Sequence, residues 1–142
     1  MKQFENGLPE EYEALKKQAN YTSSWRERLA AVETLSAYKH GTTIDLLKNR
    51  MQHDTVYKVQ IAAYEALVAF GETLEKPSPA RFDIFKNTDK IFLRVKKSLP
   101  KDHTIEDFAD KLKRMRIDVY DANEGNQGEE FMSWLEERWA KL

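Results

Sequence analysis

The sequence predicts an all-α fold assembled from stacked helix pairs, and three observations predict it. Apolar residues recur at three- and four-residue intervals through almost every segment of the 142-residue chain. Ser or Thr followed three residues later by Glu or Asp opens several of these segments, the pattern of a capped helix start. Most tellingly, "WRERLAAVETL" at residues 25–35 is echoed 32 positions later by "YKVQIAAYEAL" at 57–67. A period of that length with two helices per unit is the mark of an α-solenoid, in which neighbouring pairs share a core that no single pair can bury.

Composition agrees. Hydrophobic residues make up 41% of the chain and charged residues 33%, with only five glycines and four prolines. That suits one domain with an apolar interior and a solvated helical surface. Apolar runs are only a few residues long, as in "ALVAF", far below a membrane span. The charged opening "MKQFENGLPEEYEALKK" has no apolar secretory core, and there is no cysteine. A cytoplasmic protein without membrane attachment, disulfides or thiol chemistry is therefore expected.

Taken in order, Pro9 with Glu10 and Glu11 starts a helix whose thin apolar face is Tyr12, Leu15 and Ala19. Ser24 and Glu27 form a box-like start for the next, buried through Leu29, Ala31, Val32 and Leu35. Gly41 permits its exit, and Thr42 with Asp45 repeats the capping spacing before Ile44, Leu47 and Met51. Asp54 then caps a helix from Thr55 to about Phe70, closed by Gly71. The stretch "ETLEKPSPAR", with Pro77 and Pro79, reads as a linker. Beyond it Phe82, Ile84 and Phe85 suggest a short helix, and Thr88 caps one that carries Ile91, Phe92, Val95 and Leu99 up to Pro100. Thr104 with Asp107 starts another, with Ile105, Phe108, Leu112 and Met115 on its apolar face. "DANEGNQG" reads as a polar loop, and the last helix aligns Phe131, Trp134, Leu135, Trp139 and Leu142. No convincing strand is visible; "IDVYD" is the best short candidate and fits a helical turn equally well.

At the 32-residue offset Trp25 meets Tyr57, Leu29 meets Ile61 and Leu35 meets Leu67, while Ala30, Ala31, Glu33 and Ala37 are identical to their counterparts. Tyr12 and Leu15 likewise meet Ile44 and Leu47. Here the chain resembles the HEAT-like repeat family, in its short bacterial form with the pattern Val-Arg-x-x-Ala-x-x-Ala-Leu after an Asp. "VQIAAYEAL" fits at Val59, Ala63, Ala66 and Leu67, with Gln60 in the Arg place and Asp54 upstream. "ERLAAVETL" fits at Arg28, Ala31 and Leu35, with Glu27 and Thr34 departing. The likeness covers residues 9–72. A third unit would carry Ile61 to Leu93 and Leu67 to Leu99, but Ala62 and Ala63 become Arg94 and Val95. The resemblance implies a right-handed α-α superhelix, a HEAT-like solenoid with a C-terminal helical cap. Residues 1–75 would hold two repeats, and 76–142 a degenerate third plus the cap, in one continuous domain.

No catalytic constellation stands out. His40, His53 and His103 are scattered without ligand spacing and read as loop-exposed polar residues. Asp121, Asn123 and Glu124 suggest a calcium loop, but glycine and glutamate fall at the wrong places and Met132 stands where the last ligand belongs. No Gly-rich phosphate loop, nucleophile elbow or HExxH motif occurs. The chain is therefore read as non-enzymatic, without cofactor or metal.

The resemblance implies recognition of a protein or peptide on a concave helical face. The outward positions of "TTIDLLKNRMQ", namely Asp45, Lys48, Asn49 and Arg50, are the candidates for that contact. Trp25 and Tyr57 would seal one repeat against the next, and Trp134 and Trp139 would cover the open end of the stack.

Charge offers an alternative. Residues 94–116 hold eight Lys/Arg against four acids, and residues 117–142 hold seven acids against two basic residues. Such asymmetry marks either a nucleic-acid surface or two faces that attract each other. On the first reading Arg94, Lys97, Lys111 and Arg114 are the binding residues, with 89–116 folding as a helix-turn-helix. A monomer or weak dimer is expected in either case.

Overall fold

The computed structural model describes residues 4–80 and 83–142. Eight α-helices and one pair of two-residue strands lie among them, so the chain is mostly helical. It divides after Pro79 into two compact units, each with its own apolar core. The expected linker falls at this division; its last residue, Arg81, lies outside the described residues.

In the first unit α1 (Tyr12–Ala19) packs on α2 (Trp25–Leu35), and α3 (Gly41–His53) packs on α4 (Tyr57–Ala69). The helices α2 and α4 also lie against each other. Trp25 and Tyr57, matched in sequence, are the first residues of their helices. Burial follows the same offset: Leu15 and Leu47, Ala19 and Met51, Ala31 and Ala63, and Leu35 and Leu67 are all buried. Ala31 and Ala63 are fully enclosed, which a larger side chain would forbid without moving a helix. The adjacent alanines differ, since Ala30 is exposed and Ala62 half-buried. In the first pair only Ala31 is enclosed, whereas in the second Ala62 also packs against the core.

Helix ends are set locally, and not always by the expected residues. The Ser24 hydroxyl accepts from the Glu27 backbone N–H at 3.3 Å, but the Glu27 carboxylate accepts from Gln18 Nε2. Half of that box is therefore present. At α3 the expected Thr42/Asp45 box is replaced by His40 and Thr43. The His40 ring accepts from the Thr42 N–H, and Thr43 Oγ1 accepts from the His40 N–H. Asp54 accepts from the Val56 N–H at 2.9 Å rather than from a later amide, and Val56 is the residue that precedes α4. Gly71, at φ 97°, closes α4; the N–H groups of Gly71 and Glu72 return to the carbonyls of Val68 and Leu67. That arrangement requires the left-handed conformation glycine adopts freely.

The strand pair corrects an expectation. β1 (Glu5–Asn6) runs parallel to β2 (Tyr38–Lys39), with Glu5 opposite Tyr38 and Asn6 opposite Lys39. Two residues per strand leave no alternation to read.

In the second unit α5 (Thr88–Lys97), α6 (Ile105–Met115), α7 (Ile117–Gln127) and α8 (Phe131–Ala140) enclose an aromatic core. Phe92 meets Phe108 and Trp134 edge-on, at 5.7 and 6.0 Å between ring centroids. Tyr120 meets Phe131 in the same manner. The Thr104/Asp107 capping box is complete in both directions. Thr88 is no cap: it is the first residue of α5, and its hydroxyl donates to the Phe85 carbonyl.

Two further expectations fail here. Ile84 and Phe85 lie in a bend and not in a helix, and Phe82 lies outside the described residues. "DANEGNQG" is helical through Gln127, because Asp121, Asn123 and Gly125 are buried against the unit and tertiary packing overrides their turn preference. A Gly128 at φ 59° then ends α7. Leu93, offset by 32 from the half-buried Ile61, is 38% exposed, while the neighbouring Phe92 is fully buried.

Candidate functional site

The candidate residues fall in different surroundings. Asp45 and Asn49 are exposed on α3, whereas Lys48 and Arg50 are held by ion pairs. Lys48 Nζ lies 3.1 Å from Glu72 Oε1. Arg50 Nη1 donates to Asp54 Oδ2 at 3.2 Å, and its Nη2 donates to Asn49 Oδ1 at 2.9 Å.

Asp54 is the hub of a buried cluster. Arg28 grips it from α2 with Nε at 2.9 Å and Nη2 at 3.2 Å, and Arg28 Nη1 donates to the Tyr21 carbonyl at 2.9 Å. The Arg28 side chain is 3% exposed and the Asp54 side chain not at all. A buried carboxylate with two guanidinium partners and one backbone N–H has its lone pairs satisfied, the condition for such a pair to be tolerated. Sequence reasoning singled out Arg28 and Asp54 separately and missed that they meet. Beside them, the Trp25 ring carries Arg26 at 4.5 Å and Lys58 of α4 at 5.1 Å. The Tyr57 hydroxyl donates to the Pro77 carbonyl at 3.0 Å.

The tryptophans of α8 pack on the core of the second unit. Trp134 meets Phe92 edge-on and stacks on Phe131 at 6.2 Å. Trp139 Nε1 donates to His103 Nε2 at 2.9 Å, and His103 Nδ1 lies 2.6 Å from the Pro100 carbonyl. An indole N–H only donates, so Nε2 is the acceptor and the ring proton sits on Nδ1. His103 is thus a half-buried joint between α8 and the turn before α6, in place of the loop-exposed residue expected. His40 caps α3, and His53 is exposed at its end.

The basic stretch is divided among four settings. Lys96 Nζ donates to the carbonyls of Trp139 and Leu142, capping the end of α8 where the helix dipole favours a cation. Arg116 forks onto Asp118 through Nε and Nη2, each at 3.0 Å. That contact holds the Asp118 carboxyl below its usual range, hydrogen bonding outweighing burial. Lys111 and Arg114 share a concavity with Asp107 and Asp110, so acids oppose them. Arg94 lines a different cleft, with Lys86, Lys90 and Arg116 around Phe85, Asn87 and Ile91. Arg94 and the Lys111/Arg114 pair thus line different concavities, and Lys97 is exposed at the end of α5. Sequence reasoning began the basic stretch at Arg94 and so missed Lys86 and Lys90, though their four-residue spacing from Arg94 was the available signal.

Asp83 and Asp89 are engaged by α8. Arg138 of α8 bonds both oxygens of Asp83, at 3.0 and 2.8 Å, and Asp89 Oδ1 at 2.8 Å. These contacts push the Arg138 pKa upward, the Asp83 hydrogen bond first among the causes. Among the described residues, no group of three or more His, Asp or Glu side chains is placed to hold a metal ion. No described helix is long and apolar enough to cross a membrane. No protein-family model, curated protein or solved structure matches this chain.

Proposed function

We propose that the chain is a non-catalytic binding protein whose first unit is a two-repeat, HEAT-like scaffold of right-handed superhelical type. Its partner is a protein or peptide. The observation that carries this reading is the preserved offset: buried positions of the two helix pairs repeat at 32 residues, and α2 packs directly on α4. The Arg28–Asp54 pair supports it, because it joins the second helix of one pair to the turn inside the next. A surface held that rigidly offers a partner fixed contacts at little entropic cost.

Recognition falls to α3, where Asp45 and Asn49 are open and Lys48 and Arg50 are held in place by Glu72 and Asp54. The test uses the whole chain as immobilised bait beside a variant carrying Asp45→Lys and Asn49→Glu. Proteins retained by the wild type and lost from the variant are then purified and titrated calorimetrically. A loss of roughly tenfold in affinity is expected for charge reversal at an interface centre. Retention of the same proteins by both baits, or of none by either, overturns the reading.

A further inference from the structure

The second unit carries a cleft of about 290 Å3 whose charged lining, among the described residues, is cationic: Lys86, Lys90, Arg94 and Arg116. Other concavities of this unit are mixed. One sets Asp107 and Asp110 against Lys111 and Arg114, and another places Asp89 beside Lys90, Arg138 and Lys141. The contrast has a structural cause. Asp83 and Asp89 are drawn to Arg138, and Asp118 offsets Arg116, so the charge of the cleft rests on Lys86, Lys90 and Arg94.

Lys90 and Arg94 stand one turn apart on α5, so like charges are neighbours without an intervening acid. Lys86 and Lys90 also flank the start of α5, where the helix dipole is itself positive, Asn87 makes no side-chain cap bond, and the first-turn acid Asp89 is bonded to Arg138. Self-repulsion of this kind lowers stability unless an anion relieves it. Phe85 and Ile91, both half-buried, add an apolar wall to the same cleft.

We infer that this cleft binds the phosphate of a nucleotide, its base resting against Phe85 and Ile91 and its phosphate held by Lys86, Lys90 and Arg94, beside an Arg116 whose fork Asp118 occupies. The volume suits a single nucleotide, free or as one residue of a single strand. Lys supplies point charge, while the unengaged edge of Arg94 supplies a planar fork for phosphate oxygens. The site is independent of the scaffold reading of the first unit.

The whole chain, labelled with nitrogen-15, is titrated with adenosine, adenosine monophosphate, inorganic phosphate and a short oligothymidylate. Amide shifts centred on residues 85–94 and 116 are expected with both nucleotide ligands, weakening as salt rises. Adenosine alone should produce none. The double variant Lys90→Glu, Arg94→Glu should bind at least roughly tenfold more weakly, whereas Lys111→Glu, Arg114→Glu should bind as the wild type does. Phe85→Ala should weaken adenosine monophosphate by a few-fold and leave inorganic phosphate unchanged, because aromatic stacking serves only the base. Circular dichroism confirms that each variant is folded.

Shifts for oligothymidylate alone assign the site to a strand, and shifts for both ligands to a free nucleotide as well; either supports the inference. No binding by either nucleotide, equal loss in the two charge-reversed variants, or equal loss of both ligands in Phe85→Ala overturns it.

Discussion

The two units spend their charge in opposite ways. In the first, the central guanidinium and carboxylate are turned inward, and Asp54 is enclosed by Arg28 and Arg50. In the second, Lys86, Lys90 and Arg94 line an open cleft. Their cores differ in parallel. The first is largely aliphatic, with alanines at the closest helix approach, and the second is built on Phe92, Phe108, Phe131 and Trp134. Small residues and a directional ion pair specify a particular stacking of helices. Large rings fill volume with less demand on register, which leaves the helix surfaces free to carry other chemistry.

The largest effects should come from breaking each core by its own means. Asp54→Ala strands Arg28 in a buried site and should cost about 3–5 kcal/mol. Phe92→Ala empties the middle of the aromatic cluster and should cost about 3–5 kcal/mol as well. Urea unfolding followed by the indole N–H signals separates the two, since Trp25 reports the first unit and Trp134 and Trp139 the second. A cost below about 1 kcal/mol for Asp54→Ala would mean that apolar stacking alone holds the first unit. Next comes Ala31→Leu, which overfills the α2 contact and should cost about 1–3 kcal/mol, against almost nothing for Ala30→Leu. Similar costs for the two would break the comparison, because register would then not depend on the enclosed alanine.

How much of this was legible in the sequence depends on how local each feature is. The Thr104/Asp107 box and the Gly71 exit were legible because their partners lie within a few residues. The matched burial of Leu15 with Leu47 and Ala31 with Ala63 was legible because stacking imposes a period. The β1–β2 pair was not, since its registration is a contact between residues 5–6 and 38–39 with no pattern of its own. Asn123 and Gly125 misled for a related reason. Both favour turns, but Asn123 Nδ2 returns to the Val119 carbonyl and the buried face of α7 holds them in a helix. The Arg28–Asp54 pair and the cationic cleft each required knowing which helices are neighbours. Residue types were visible, but convergence was not.

A smaller effect tests how tightly the aromatic unit is pinned. Trp139→Phe keeps the ring near His103 but removes the indole donor, leaving Nε2 without its bond. The expected cost is about 1 kcal/mol, read from the same urea curves. A loss several times larger would show that this joint, and not the ring cluster, closes the second unit.

The smallest stability effect belongs to Asp118, and it sharpens the contrast most. Its carboxyl titrates below the ordinary range, chiefly because Arg116 donates to it. A lowered native pKa adds stability that is complete above the unfolded carboxyl pKa and is lost as pH falls through the native one. Both side chains are about two-fifths exposed, so screening keeps this contribution below about 1 kcal/mol. Asp118→Asn should therefore flatten the acid limb of the stability curve only slightly. The same substitution frees the Arg116 fork and removes the acid that offsets it beside the cleft. Phosphate affinity at neutral pH should then rise by a few-fold while stability falls. In the first unit removing Asp54 can only destabilise, because its cations are enclosed; in the second, removing an acid exposes a cation that water or an anion can reach. Opposite signs for stability and phosphate binding in Asp118→Asn are the expected signature, and a fall in both would place Asp118 with Asp54 as part of the structure rather than as a brake on the cleft.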